Sequence, residues 1–180
     1  MSYLIISASL NPKSRSCLLA REALLELTKL GYSADWIDLV DEDLPLCDGD
    51  SVFEDERVIR MRERITKAEG ILLAVPVYNF YASAAAKNLL ELGGNAWKEK
   101  VVGFLCAAGG KASYMGPVSL ANSLMLDFRC WIVPRFVYAL GSDFDGEKLT
   151  DPKIRERIFT LVSEWVRLVE ALRDSRSRTL

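Results

Sequence analysis

The chain has 180 residues, of which 50% are apolar, 27% charged and 9% aromatic, with four cysteines and no histidine. That length predicts one domain over residues 1–180 with a full-sized core, and the missing imidazole excludes Ser-His-Asp and Cys-His catalysis and any histidine-ligated zinc site. Twenty-three Lys plus Arg against 25 Asp plus Glu give a formal charge of −2, a poor electrostatic match to a nucleic-acid backbone.

Residues 3–8 form a short, uninterrupted apolar run that ends in Ser-Ala-Ser-Leu-Asn-Pro, as expected of a strand buried on both faces. From Ser16 the pattern becomes helical, with Leu19, Ala23, Leu27 and Leu30 three or four apart and Gly31 placed to cap the C-terminus. A second, weaker strand is predicted over 34–39. The acidic stretch that follows, including Asp41, Glu42, Asp43, Asp48 and Asp50, reads as a solvated loop and helix start rather than a metal site, because acids favour helix N-termini.

Val58, Met61, Ile65 and Ala68 predict a helix before a third strand over 70–75, which Pro76 should stop. An alanine- and leucine-rich helix over 82–92 closes at Gly93-Gly94. A fourth strand is expected over 101–107, a helix over about 114–128, and a fifth strand over 131–138 that carries Pro134. Ile154, Ile158, Leu161, Trp165, Leu168 and Leu172 then mark a long amphipathic helix, and residues 173–180 are expected to fray. This alternation of strands and helices argues an α/β fold with a parallel sheet covered on both faces.

The cysteines, Cys17, Cys47, Cys106 and Cys130, show no CxxC spacing and read as thiols in a reducing cytoplasm. No basic leader and no apolar stretch near the roughly 20 residues needed to cross a bilayer is visible, so a cytoplasmic chain without a membrane span is expected. Trp36, Trp97, Trp131 and Trp165 read as packing residues, and Cys106 as a small hydrophobe within a strand.

In an open parallel sheet, ligands sit outside the carboxyl ends of the strands. Three loops of unusual composition should meet there. Residues 9–16, Ser-Leu-Asn-Pro-Lys-Ser-Arg-Ser, lead into a helix and suit either a phosphate cradle built from hydroxyls and first-turn amides or a serine-rich helix cap. They match neither a Walker loop nor the Gly-x-Gly-x-x-Gly fingerprint. Residues 76–81, Pro-Val-Tyr-Asn-Phe-Tyr, suit a wall beside a flat aromatic ligand, a subunit contact, or both. Residues 107–113 carry Gly109-Gly110, whose lack of bulk lets backbone approach a ligand.

Together, in this order, the three loops resemble those of the NADPH-dependent FMN reductase family. The resemblance covers about residues 3–138, and its most specific element is the spacing from Pro76-Val77-Tyr78-Asn79 to Lys87-Asn88. It implies a flavodoxin-like fold, a doubly wound five-stranded parallel sheet of strand order 2-1-3-4-5. It implies further that Ser9, Asn11, Ser14, Arg15 and Ser16 hold an FMN phosphate and that Pro76, Val77, Tyr78 and Asn79 border the isoalloxazine. Gly109, Gly110 and Ser113 would approach the far edge of the ring. Lys13 and Arg15 do not stand where many members carry an arginine after the first serine. Phe80-Tyr81 replaces a frequent Gly-Ser, which reshapes the acceptor side.

A bound flavin accounts for the absent histidine, since it carries the chemistry and no side-chain acid, base or metal is required. The activity implied is hydride transfer from NADPH or NADH through FMN to a small-molecule acceptor: a flavin, quinone, azo compound or metal oxyanion. A flavodoxin-type electron carrier without nicotinamide activity is the alternative, although such carriers are more acidic than this chain. The apolar content and the aromatic second loop also favour a homodimer or homotetramer.

Overall fold

The structure, a computed structural model, describes the backbone of residues 2–177 and the side chains of 2–175. Its centre is a mostly parallel sheet built from β1 (Tyr3–Ser7), β2 (Ala34–Asp38), β3 (Gly70–Tyr78) and β5 (Val101–Ala108). β1 lies between β2 and β3, and β3 pairs on its other side with β5. β1 and β5 are buried along their whole lengths, which is why their sequences are continuous apolar runs rather than alternating ones.

α1 (Arg15–Lys29) and α6 (Pro152–Ser177) cover one face, where Leu19, Ala23 and Leu27 pack with Tyr3, Ile5, Leu161 and Trp165. The Trp165 indole donates to the Val101 carbonyl at 3.0 Å, so this large ring is buried without losing its hydrogen bond. The opposite face is covered by α3 (Glu56–Lys67), α4 (Ala84–Gly93) and α5 (Val118–Phe128), through residues such as Met61, Ile65, Leu89 and Leu124 against Leu4, Ile6, Ile71 and Phe104. A short helix, α2 (Leu39–Glu42), begins at the residue where the second strand was expected to end.

The sheet has seven strands, not five. One addition is β4 (Tyr81–Ala82), an antiparallel return that pairs with the end of β3 where a helix was expected to begin. The other arises because the fifth strand breaks in two: β6 (Trp131–Ile132) and β7 (Val137–Leu140) both run parallel to β5, and Pro134 lies in the gap. With β6 and β7 sharing the last position, the parallel strands keep the order 2-1-3-4-5.

Pro76 does not stop β3. It pairs in register with Ala107, beyond the point where the ladder between β1 and β3 closes at Ala8 N to Ala74 O, so its missing N–H interrupts no bond to β1. The helix expected from 114 is preceded by a 3-10 turn (Lys111–Met115), and α5 starts only after Pro117. A two-stranded excursion, β8 (Phe144–Asp145) and β9 (Lys148–Leu149), lies between β7 and α6. α6 reaches Ser177, into the stretch expected to fray, and residues 178–180 lie outside the described residues. Among the described residues no helix is long and apolar enough to cross a membrane.

Candidate functional site

At the carboxyl ends of β1, β3 and β5 the loops enclose a cleft of about 1090 Å³. Its first wall is the turn into α1. Asn11 N donates to Ser9 Oγ (3.2 Å), Lys13 N to Asn11 Oδ1 (3.0 Å) and Ser14 N to the Asn11 carbonyl (3.0 Å), which coils the segment ahead of the helix. Ser14 occupies the N-cap position with extended backbone, yet its side chain makes no capping bond. It meets Ser16 Oγ instead, at 2.7 Å, so two buried hydroxyls stand side by side.

The first intrahelical donor is Leu18 N, bonded to the Ser14 carbonyl. The amides of Arg15, Ser16 and Cys17 precede it and have no acceptor inside the helix, which gives this end of α1 a partial positive charge. The Arg15 guanidinium lies over the Phe144 ring at 5.8 Å from its centroid and ties α1 to the β8–β9 excursion. Cys17, one turn in, donates to Asp38 Oδ2 at 3.4 Å, and burial pushes its thiol above the ordinary range.

The second wall is the β3–β4 hairpin. Tyr78 pairs with Tyr81, and the two residues between them, Asn79 and Phe80, both have positive φ (50° and 64°), the backbone demanded by a tight two-residue turn that follows the twist of its strands. Phe80 is the unusual member, because a bulky side chain in this region costs about 1–2 kcal/mol. Tyr78 and Phe80 are more than half exposed at the cleft mouth. The hairpin rests on residue 116: a Cβ on Gly116 would lie 2.9 Å from Val77 Cγ1 and 3.0 Å from the Phe80 carbonyl carbon and oxygen.

Ser83, which the sequence did not single out, ties the first two walls together. Its hydroxyl donates to the Ala8 carbonyl at 2.9 Å and accepts from Ala86 N at 3.2 Å, while its own N–H donates to the Pro76 carbonyl at 3.0 Å. Lys87 pairs with Glu91 at 2.6 Å. Asn88 brackets the 45–47 segment, accepting from Cys47 N at 2.8 Å and donating to the Pro45 carbonyl at 2.9 Å. Both residues therefore serve the scaffold behind the cleft.

The third wall runs from Ala107 through Gly110 to Ser113. A Cβ added to Gly109 or Gly110 would meet nothing within 4 Å, so the floor here is bare backbone facing open space. Tyr138, from β7, supports this loop from the side: its hydroxyl donates to the Gly110 carbonyl at 2.7 Å and its ring meets Tyr114 edge-on at 5.3 Å. Burial, reinforced by the nearby Cys106, raises the Tyr138 phenol above its ordinary value.

Of the residues expected at the site, Asn11, Ser14, Arg15, Ser16, Pro76, Val77, Tyr78, Asn79, Gly109, Gly110 and Ser113 all line this one cleft. Ser9 does not; it is buried behind the wall, where it shapes the turn. Lys13, Phe80, Ala107, Ala108, Gly146 and Glu147 also line the cleft without having been expected as binding residues. Gly146 and Glu147 form the two-residue turn between β8 and β9, and the glycine that opens it, at positive φ, was a readable hairpin signal. A separate groove of about 500 Å³ between α1 and this hairpin carries Arg21, Lys148 and Arg155 beside Glu22 and Glu147. There Arg155 is already bonded to the Leu149 carbonyl and stands 3.7 Å from Glu22. Among the described residues no group of three His, Cys, Asp or Glu is arranged to hold a metal ion.

Residues 1–145 match the sequence model of the family described as NADPH-dependent FMN reductase. An NAD(P)H-dependent FAD/FMN reductase of Geobacillus thermodenitrificans is 28% identical over 168 residues, 89% of this chain and 90% of that protein. An NADPH:quinone oxidoreductase of Arabidopsis thaliana is 30% identical over 167 residues, 85% and 84% of the two chains. Among solved structures, FerB from Paracoccus denitrificans, a flavoenzyme NAD(P)H:(acceptor) oxidoreductase, superposes with a TM-score of 0.77 at 20% identity over 94% of this chain and 97% of its own, a likeness of fold. With its family signature spanning the three cleft loops and its sheet of flavodoxin-like topology, the chain is an oxidoreductase that belongs to the NADPH-dependent FMN reductase family.

Proposed function

We propose that the cleft holds FMN and that the chain passes hydride from NADPH or NADH to a small-molecule acceptor such as a flavin, quinone, azo compound or metal oxyanion. One observation carries this reading. A single cleft joins a pair of adjacent hydroxyls at a helix N-terminus to a floor of glycine backbone on which no side chain intrudes.

The donor set fits the cofactor at both ends. Ser14 and Ser16 hydroxyls and the first-turn amides of α1 suit a dianionic phosphate, and the volume of about 1090 Å³ accommodates a flavin with a second planar ligand beside it. FMN, when bound, supplies the hydride-accepting and hydride-donating ring. The protein's own tasks are then to bind, orient and shield. Backbone from Pro76 to Asn79 borders the ring, Gly109 and Gly110 allow close approach, and Tyr78 and Phe80 screen the mouth from water. No side-chain acid or base takes part, in keeping with a chain that has no histidine.

The exposed Tyr78, Phe80, Tyr81, Tyr114 and Met115 around the mouth support association into a homodimer or homotetramer. The four unpaired cysteines support residence in the reducing cytoplasm. The decisive experiment is anaerobic addition of NADPH, and separately NADH, to the FMN-loaded protein while the visible flavin band is followed, then addition of a quinone or free FMN. Rapid bleaching and recovery are expected. A flavin that stays oxidised with both nicotinamides would instead identify an electron carrier that needs a protein donor, and protein that takes up no FMN would remove the cofactor reading altogether.

A further inference from the structure

The groove between α1 and the β8–β9 hairpin is a cavity of its own, of about 500 Å³, yet Glu147 lines both it and the cleft, so the two meet at the Gly146-Glu147 corner. α1 connects them as well. Ser14, Arg15 and Ser16 line the cleft from the start of this helix, and Leu18, Arg21 and Glu22 line the groove from its next turns. At about 1.5 Å per residue, Ser16 to Arg21 spans about 7.5 Å of helix axis, within reach of a nucleotide joined to a phosphate at the cradle. The volume falls in the range of about 300–1,000 Å³ usual for small-molecule sites.

The groove presents the three kinds of group that an adenosine phosphate needs. Leu18, partly buried, and the edge of Leu149 give it an apolar lining for a flat base. The Glu22 carboxylate suits a ribose, whose hydroxyls donate to an acidic side chain in the common dinucleotide-binding fold. Arg21, Lys148 and Arg155 bring positive charge from three elements, α1, β9 and α6. Arg155 is held by the Leu149 carbonyl and stands 3.7 Å from Glu22, so its charge is fixed in place and partly neutralised. Arg21, whose guanidinium lies over the Trp36 ring at 5.4 Å, and Lys148 have no carboxylate partner among the described residues. These two are left to meet phosphate.

We propose that the groove is a second subsite, which takes the adenosine phosphate half of a dinucleotide whose other half occupies the cleft. Lys148 and Arg21 meet its phosphate and Glu22 its ribose. The proposal rests on the reading of the cleft given above. Two dinucleotides carry this half: NADPH, with its nicotinamide beside the flavin, and FAD, with its own flavin in the cleft. FMN ends at the cradle phosphate and makes no use of the groove, which makes it the internal control.

Lys148→Glu and Arg21→Gln change opposite walls of the groove. Lys98→Glu, at an exposed position just ahead of β5 and so at the end of the sheet away from the cleft, is the charge control. The FMN-loaded full chain of each variant is assayed for kcat and KM with NADPH, and the flavin-free full chain is titrated calorimetrically with FMN and with FAD. Both groove variants are expected to raise the KM for NADPH or the dissociation constant for FAD about tenfold, with kcat and the FMN dissociation constant within about twofold of wild type. A rise in KM alone identifies NADPH as the source of the adenosine phosphate, a loss of FAD affinity alone identifies FAD, and both together show that each uses the groove. The subsite is overturned if neither constant moves further than in Lys98→Glu, or if FMN binding weakens as much as FAD binding does. Wild-type protein that binds neither flavin would overturn the cofactor reading and the subsite together, whereas wild-type protein that binds FMN, with no loss in either groove variant, would overturn the subsite alone.

Discussion

Ser14→Asp separates a phosphate cradle from an ordinary helix start. The substitution is mild for the fold: aspartate is among the best N-cap residues, its charge is favoured at a helix N-terminus by about 0.3–1 kcal/mol, and Ser14 makes no capping bond to lose. It is severe for a bound phosphate. A carboxylate replaces one of two hydroxyls 2.7 Å apart and stands beside the anion those hydroxyls would grip. For unit charges about 4 Å apart at an effective dielectric near 20, repulsion is about 4 kcal/mol, or nearly three decades in dissociation constant. Flavin fluorescence quenching reads the affinity directly, and riboflavin, which has the ring but no phosphate, is the internal control. FMN affinity should fall by two to three orders of magnitude, riboflavin affinity should barely move, and the melting temperature of the flavin-free protein should hold or rise. Equal losses for FMN and riboflavin, or undiminished FMN binding, would refute the placement of the phosphate at α1.

Gly109→Leu should leave thermal stability almost unchanged, because a Cβ there meets nothing within 4 Å, and should cut FMN affinity more than about tenfold by filling the floor of the cleft. A titration showing wild-type affinity would mean the ring lies elsewhere. Phe80→Gly relieves a left-handed backbone costing about 1–2 kcal/mol against about 0.5–1 kcal/mol of added chain entropy, so chemical denaturation should show a net stabilisation between zero and about 1.5 kcal/mol. Steady-state kinetics should then show lower KM for bulky acceptors, and unaltered selectivity would exclude Phe80 from the acceptor side. Arg57, bonded through its side chain and its backbone N–H, holds the Asp55 carboxyl down to about 2, below an unfolded value near 3.9. The resulting stabilisation is present above about pH 4 and is lost as pH falls toward 2, so acid denaturation of Asp55→Asn should show a flatter loss of stability across that window.

The strands buried on both faces were legible because continuous apolar runs such as Ile71 to Val75 have few other uses, and the helices followed from spacing such as Ile154, Ile158, Leu161 and Trp165. What the pattern could not carry were decisions made by pairing at a distance. Pro76 looked like a stop, but its fate depends on where β1 ends and on Ala107 opposite it. Ser83 and Tyr138 look like any serine and tyrosine, and their roles come from the carbonyls of Ala8 and Gly110, 75 and 28 residues away. Arg15 lines the cleft as its neighbours in sequence suggested, but the Phe144 ring over which its guanidinium also lies is brought there only by the fold.

The Ser83 hydroxyl bridges the ends of β1 and α4 while its backbone bridges to Pro76 on β3. β1 and β3 are adjacent strands, so the separation of the first two walls is locked to the inter-strand repeat of about 4.8 Å rather than to the lengths of the loops above it. The α1 end of the cleft therefore behaves as a fixed gauge, and under the proposed function any discrimination among acceptors falls to the parts that overhang it: the Asn79-Phe80 tip, Ser113 of the third wall and the Gly146-Glu147 corner.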